Sequence, residues 1–294
     1  MLVLGLTGDV GAGKSTVTKI FQEFGAHVID ADGITHEIWK RPEVLHKAIV
    51  KWGEDILLPD GRIDAPGIAS RVFTDEDDYK WLCSLLHPLV RSEMEKRVSD
   101  LEGLVVAEIP LLFENGVPSW IDLTCYVRTS MERRLSRNRT RGWDQEEIRR
   151  REKFLLPREE KMGKADLIID NESDLGKLRA HLKALSERLL LIASLCVIEI
   201  GPLSMEDMKR ILDHFSDDPD ILGMRCDPGD IQDQARGSDL PGHCVVFLAA
   251  GEHCSAIRAA TEELGLSSPW HIIMSGVNRY AGLVSALLSD MIRS

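Results

Sequence analysis

"GDVGAGKST", Gly8–Thr16, packs three glycines, a lysine and two hydroxyls into nine residues. The apolar "LVLGLT" (2–7) precedes it at strand length, and "VTKIFQEFG" (17–25) follows with helical spacing. Read as G-x-x-x-x-G-K-S, with Gly8, Gly13, Lys14 and Ser15 fixed, it has the form of a phosphate-binding loop between a strand and a helix. Glycine permits positive φ, so successive N–H groups of Gly11, Ala12, Gly13, Lys14, Ser15 and Thr16 turn inward around a phosphate chain. The helix N-terminus adds partial positive charge. Lys14 reaches the terminal phosphates and the Ser15 hydroxyl is a Mg²⁺ ligand of the expected type. The competing reading, a flexible connector, explains neither the fixed positions nor the flanks. The expected ligand is a nucleoside triphosphate; the loop does not name the acceptor.

The other bulk features describe a soluble protein. At 294 residues the chain has room for two domains, and 44% hydrophobic and 29% charged residues supply cores and a solvated surface. The longest apolar run, Leu189–Ile198, is too short to span a bilayer. No basic segment precedes the first apolar stretch, so no signal peptide is expected, and six cysteines without a disulfide framework fit a cytoplasmic setting. A net charge of −12 argues against non-specific nucleic-acid binding. Against that acidity, eight arginines crowd positions 133–151. A solvated helix face balanced by Glu132, Glu146, Glu147 and Glu152 is one reading; beside a phosphate loop, an arginine segment facing phosphates is the better one.

Strand and helix patterns alternate through the first half. "HVIDADG" gives a second strand and turn, a helical stretch follows to about Asp100, and "LPDGRIDAPG" breaks it as a turn. "GLVVAEIPLLF", "DLTCYVRT" and "ADLIIDN" read as further strands, the first without polar alternation, as in a buried parallel sheet. This predicts an α/β three-layer domain over residues 1–191. From about residue 192 a new order begins, β-α-β-β-α-β-α, in a tail with seven basic and fourteen acidic side chains from Pro202 onward. It is read as a smaller α+β domain, ferredoxin-like in order, of unknown role.

Asp30 and Asp32, two apart at a strand end, are expected to project to one side, where a carboxylate near the γ-phosphate accepts a proton from an attacking hydroxyl. Either is alternatively a helix N-cap before Gly33. No guanine-specific N-K-x-D motif is present.

"GLTGDVGAGKSTV", "VIDADGI", "LLHPLV", "EIPLLFE" and "ADLIIDN" occur in the order and spacing of the dephospho-CoA kinases, and the chain resembles that family from Met1 to about Leu191. The resemblance implies a phosphate-loop kinase fold with a helical substrate-binding region and a lid. It also implies ATP-dependent phosphorylation of the ribose 3′-hydroxyl of dephospho-CoA, the final step of coenzyme A synthesis. By the same resemblance, residues Gly11–Thr16 hold ATP and Asp32 is the base. The lid pattern R-x-x-x-R-G falls on Arg137, Arg141 and Gly142, with the two arginines expected on one helix face, gripping phosphates. Glu108 ends its strand where phosphate-loop proteins place a Mg²⁺-organising acid, the alternative being a carboxylate facing water. His87 is a candidate substrate contact or a helix-end residue before Pro88. Leu111, Leu112 and Phe113 line the substrate cleft or are core.

Two departures stand out. Ala65 occupies a position where the family usually carries arginine, with Arg62 or Arg71 as candidate replacements, and "REKFLLPREEK" lacks the usual lid glutamine. The enzymatic rival is a nucleoside monophosphate kinase, disfavoured by the D-A-D and P-L-L-F-E pair. A nucleotide-gated regulator is the non-catalytic rival, disfavoured by the pairing of Asp32 with Lys14. In the tail, His243–Cys244 and His253–Cys254, with Cys226, offer Zn²⁺-type ligands. Without C-x-x-C spacing, the reading as core cysteines is preferred. The oligomeric state is not legible in the sequence.

Overall fold

Gly8 closes the first strand of the protein because a side chain there would come within 2.2 Å of the Val127 carbonyl oxygen on the neighbouring strand. That close approach sets the sheet from which the rest is built. The computed structural model describes residues 1–218, 221–227, 243–250, 253–266 and 271–276. The backbone divides into two compact units, Val3–Ser186 and Glu187–Ser294 together with Met1–Leu2.

In the larger unit, β1 (Leu2–Gly8), β2 (His27–Asp30), β3 (Leu104–Glu108), β4 (Leu123–Arg128) and β5 (Leu167–Asp170) form one sheet in the order β2-β3-β1-β4-β5. Parallel pairing sets Asp30 beside Glu108 and Gly8 beside Val127 at the carboxyl ends of their strands. Every residue of β1 is buried, as are Leu104–Ala107 of β3, which is why both read as unbroken apolar runs. The chain leaves β1 toward β2 on one side and returns across it from β3 to β4, so the order reverses around β1. In open α/β sheets, ligands bind outside the carboxyl ends of the strands at such a reversal.

Helices flank this sheet: α1 (Lys14–Glu23), α2 (Ala31–Ile38), α3 (Pro42–Trp52), α4 (Ala65–Val72), α5 (Glu76–Ser99), α6 (Met131–Asn138), α7 (Gln145–Glu152), α8 (Arg158–Lys164) and α9 (Leu175–Ser194). The expected helical region has its own core, where Ala48, Trp52, Ile56, Ile68 and Val72 pack with Trp81, whose ring meets Trp52 edge-on at 4.8 Å. The predicted break at "LPDGRIDAPG" is a tight turn, closed by a bridge between Leu57 and Ile63. His87–Pro88 corrects the helix-end expectation: both residues lie inside the 24-residue α5. Proline there removes the N–H that would bond the Ser84 carbonyl, yet the helix continues because its packing outweighs one lost bond.

The smaller unit runs β6 (Leu195–Leu203), α10 (Met205–Phe215), β7 (Ile221–Asp227), β8 (His243–Ala250), α11 (Cys254–Glu263) and β9 (His271–Gly276). Its antiparallel sheet has the order β7-β8-β6-β9, the split β-α-β arrangement of ferredoxin-like folds. Ile198 and Ile200 of β6 and Val245 and Ala249 of β8 meet Ile211, Phe215 and Ile257 of the two helices, so both helices cover one face. The helix expected after residue 276 lies outside the described residues, as do the side chains of Cys226, His243, Cys244 and Cys254. Among the described residues no group of side chains is arranged to hold a metal, and no helix is long and apolar enough to cross a membrane.

Candidate active site

The loop between β1 and α1 is built backwards from its carbonyls. Gly11 and Gly13 take φ values of 79° and 86°, and a side chain at Gly11 would come within 2.3 Å of Asn138. With these turns the loop's carbonyl oxygens face away from the mouth and find fixed donors. Arg134 Nε donates to Val10 O at 2.7 Å, while Asn171 Nδ2 and Arg137 Nη1 donate to Ala12 O at 2.7 and 3.0 Å. Asp9, almost fully buried, accepts from the Tyr126 hydroxyl at 2.6 Å and from Thr129 N at 3.3 Å, and pairs with Arg158 at 3.5 Å. Gly13 is the N-cap of α1 and brings no capping side chain, so no cap side chain competes with an anion for the first N–H groups of the helix.

Lys14 Nζ is folded over the loop, donating to Gly8 O and Asp9 O at 3.3 Å each. Burial lowers its pKa, and the carboxylates of Glu108, Asp32 and Asp9 oppose that shift. Glu108, at the end of β3, accepts from the Thr18 hydroxyl at 3.2 Å; burial raises its pKa, with Lys14 opposing and Asp30 adding. Ser15 and Thr16 are exposed at the start of α1. Lys14, Asp32 and Glu108 thus form one electrostatic cluster at the mouth of the loop.

Asp30 and Asp32 do not act as a strand-end pair. Asp30 is the N-cap of α2, accepting from Asp32 N and Gly33 N at 3.0 Å each. Strand alternation ends at Asp30 because its side chain satisfies the first donors of a new helix, and Asp32 is turned into that helix. The side chain of Asp32 is left over for other work. Burial raises its pKa, Asp30 adds to the rise and Lys14 opposes it.

Asp32 also lines a cleft of about 580 Å³ between α2, α5 and the segment joining β3 to β4. His87, Leu111 and Leu112 line it, whereas Phe113 is core and does not. Burial lowers the pKa of His87, opposed by a hydrogen bond with Asn115 that favours the protonated ring, so the ring is neutral near pH 7. Neither candidate replacement for the missing arginine reaches this cleft. Arg62 is held by Asp60 at 2.6 Å on an exposed turn, and Arg71 lies over the Trp52 ring at 5.9 Å.

The arginine segment divides between structure and site. Arg134 is buried and paired with Glu152; Arg150 and Arg151 both bond Glu147, and Arg151 also stacks on Trp143 at 4.2 Å. Pairing with glutamate therefore accounts for Arg150 and Arg151, whereas Arg134 is paired but buried instead of lying on a solvated face. Arg137 is exposed and grips the loop through Ala12 O and the carbonyl and side chain of Asn171. Arg137 and Arg141 do not share a helix face: α6 stops at Asn138, and Arg139–Arg141 form a 3-10 turn ended by Gly142 at φ 70°. The Arg141 side chain lies outside the described residues. Sequence reasoning included Asp9 in the loop but missed that it, Arg134 and Asn171 hold the loop's shape. For Arg134 and Asn171 the signals were the doubled "RR" at 133–134 and the end of "ADLIIDN".

Comparison with known proteins gives the same direction. The sequence profile of the dephospho-CoA kinase family matches residues 2–177. The chain is similar to the dephospho-CoA kinase of Shewanella oneidensis, 37% identical over 194 residues that cover 64% of this chain and 93% of that protein. It is similar to the Streptomyces avermitilis dephospho-CoA kinase, 38% identical over 182 residues, 60% of this chain and 89% of that one. Among solved structures, TT1252 from Thermus thermophilus is 33% identical and covers 64% of this chain and 97% of its own, with a TM-score of 0.53. A strand-loop-helix phosphate cradle, an acid beside it and a profile match over more than half the chain converge: this protein belongs to the dephospho-CoA kinase family.

Proposed function

We propose that the protein transfers the γ-phosphoryl group of ATP to the ribose 3′-hydroxyl of dephospho-CoA, giving coenzyme A and ADP. The observation that carries this reading is the double position of Asp32, which lines the acceptor cleft and also feels the charge of Lys14 across the loop. In the reaction, the 3′-oxygen forms a bond to the γ-phosphorus as the bond to the β–γ bridging oxygen breaks, and the hydroxyl proton passes to the Asp32 carboxylate. A carboxylate whose pKa is raised by burial is a better proton acceptor than an ordinary one. Lys14, Arg137 and Arg141 neutralise charge on the phosphates, and Gly11–Thr16 orient them; phosphoryl transfer depends mainly on such positioning and electrostatics. His87, Leu111 and Leu112 shape the acceptor side.

The donor set fits Mg²⁺. Hydroxyl and carboxylate oxygens from Ser15 and Glu108 are hard ligands, and Mg²⁺ is ordinarily held by one or two carboxylates plus substrate phosphates rather than by a protein cage. Bound there, it would neutralise charge on the β- and γ-phosphates.

In this reading the chemistry belongs to residues 1–191. The acidic 192–294 domain carries none of these groups and repels anionic substrates, so it serves stability, assembly or regulation. The partners are ATP and dephospho-CoA, without nucleic acid or membrane. A coupled ADP-release assay with ATP, Mg²⁺ and either dephospho-CoA or a panel of nucleoside monophosphates tests the reading. Turnover on dephospho-CoA with a 3′-phosphate in the product is expected. Turnover on monophosphates alone would favour a nucleoside monophosphate kinase, and ATP binding without turnover a regulator.

A further inference from the structure

The acceptor cleft is mostly apolar, yet among the described residues two donors in its lining have no protein acceptor. Arg91, on α5, is exposed and lines the cleft. Among the described residues no carboxylate pairs with it, although its helix neighbours are neutralised: Glu93 bonds Arg41 and Arg97 at 3.1 Å each, and Arg97 also bonds Glu37. Trp120, from the segment joining β3 to β4, carries a buried indole N–H with no hydrogen-bond partner. A buried donor without an acceptor costs free energy unless a ligand supplies one. The remaining charged or titratable lining groups, Asp32, His87 and Cys83, provide no cation at neutral pH, since carboxyl and thiol groups ionise only to anions and burial keeps His87 neutral.

From these positions we infer that Arg91 and the Trp120 N–H bind the acceptor's diphosphate and adjoining polar chain, orienting its ribose toward Asp32. The inference rests on the proposed function, because dephospho-CoA is the acceptor that carries a diphosphate on the ribose 5′-carbon. An anion attached there needs a cation on the acceptor side of the site, distinct from those around the ATP phosphates. Arg91 supplies it where Ala65 cannot, from α5 instead of the start of α4. Arginine suits the task because its planar fork meets phosphate oxygens in pairs. The indole N–H adds a neutral donor on an apolar wall, a common way to fix orientation in an otherwise hydrophobic pocket.

The test compares wild type with Arg91→Gln, Arg91→Lys and Trp120→Phe in the full chain. Calorimetric titration with dephospho-CoA in the absence of ATP reads binding, and steady-state kinetics reads KM and kcat for dephospho-CoA and for ATP. Arg91→Gln is expected to weaken dephospho-CoA binding roughly 10- to 100-fold, as for loss of a hydrogen bond to a charged group, and Trp120→Phe by about 3- to 10-fold. KM for ATP should not move, and Arg91→Lys should recover part of the loss. Adenosine, which lacks the diphosphate, should bind wild type and Arg91→Gln equally. Unchanged dephospho-CoA affinity in Arg91→Gln overturns the inference, as does an equal loss for adenosine. Failure of wild type to bind or turn over dephospho-CoA overturns the proposed function instead. Arg91 is exposed, so circular dichroism of its variants is expected to match wild type.

Discussion

Removing one oxygen from Tyr126 tests how the phosphate loop is held. Its hydroxyl donates to Asp9 Oδ1 at 2.6 Å, and the ring is fully buried. The other contacts of Asp9, to Thr129 N and to Arg158, fall on Oδ2, so Tyr126→Phe strips Oδ1 of its hydrogen-bond donor in a site that water does not reach. A hydrogen bond to a charged group is worth about 1.5–3 kcal/mol, and phenylalanine keeps the ring packing, so a loss of about 2 kcal/mol is expected. For a domain of this size that lowers Tm by about 4–8 °C. Differential scanning calorimetry at pH 7 measures it. Asp9→Asn, alone and combined with Tyr126→Phe, completes a double-mutant cycle in which the double variant is less destabilised than the two single losses added. Because Asp9 begins the turn over which Lys14 is folded, KM for ATP should rise in Tyr126→Phe. A Tm shift near zero, or strict additivity in the cycle, would refute the reasoning.

Asp32→Asn should leave ATP affinity near that of wild type while turnover falls roughly 10²–10⁴-fold, the range of general acid–base help; a collapse of ATP binding would make Asp32 structural. Burial raises the pKa of Asp122 to about 6 from an ordinary 3.8, with the hydrogen bond from Val3 N opposing the rise. Its folded form therefore holds a proton more tightly than the unfolded chain, and stability present below pH 4 is lost as the pH rises through about 6. Asp122→Asn keeps an oxygen acceptor without the charge, so its stability advantage over wild type should grow between pH 4 and 7 by about 1–3 kcal/mol; a pH-independent difference in denaturant titrations would contradict this. A truncation after Ser194, the end of α9, should remain folded by circular dichroism and phosphorylate dephospho-CoA at close to the full-chain rate. A folded but inactive truncation would assign part of the site to the tail.

The parts of the site that read directly from sequence are those fixed by backbone geometry. Gly11 and Gly13 fall where their pattern puts them because few other residues accept positive φ, and β1 and β3 are legible because burial on both faces leaves no polar alternation. "DAD" was ambiguous for a physical reason. A carboxylate two residues from another is compatible with a strand end or with a cap followed by a helical turn, and only the N–H groups of Asp32 and Gly33 decide between them. The arginine segment misled in a similar way. Spacing of four gives a shared face only on an unbroken helix, and the chain breaks after Asn138, whose side chain bonds back to Arg134 O at 2.8 Å. Contacts made across long separations, such as Asn171 to Ala12, leave no periodic trace at all.

The outward-facing carbonyls of the phosphate loop have a kinetic meaning. Val10 O and Ala12 O are already satisfied by Arg134, Arg137 and Asn171, three side chains from α6 and the end of β5. Side chains outside the loop therefore hold its shape, so little of a nucleotide's binding energy should be diverted into ordering the chain. Nucleotide capture should then behave as a single-step association whose rate tracks concentration linearly, without the plateau that a slow loop rearrangement would impose. The same wiring ties the loop to α6. Because Arg137 reaches both Ala12 O and Asn171, a displacement of the loop would have to break or carry along its contacts with α6.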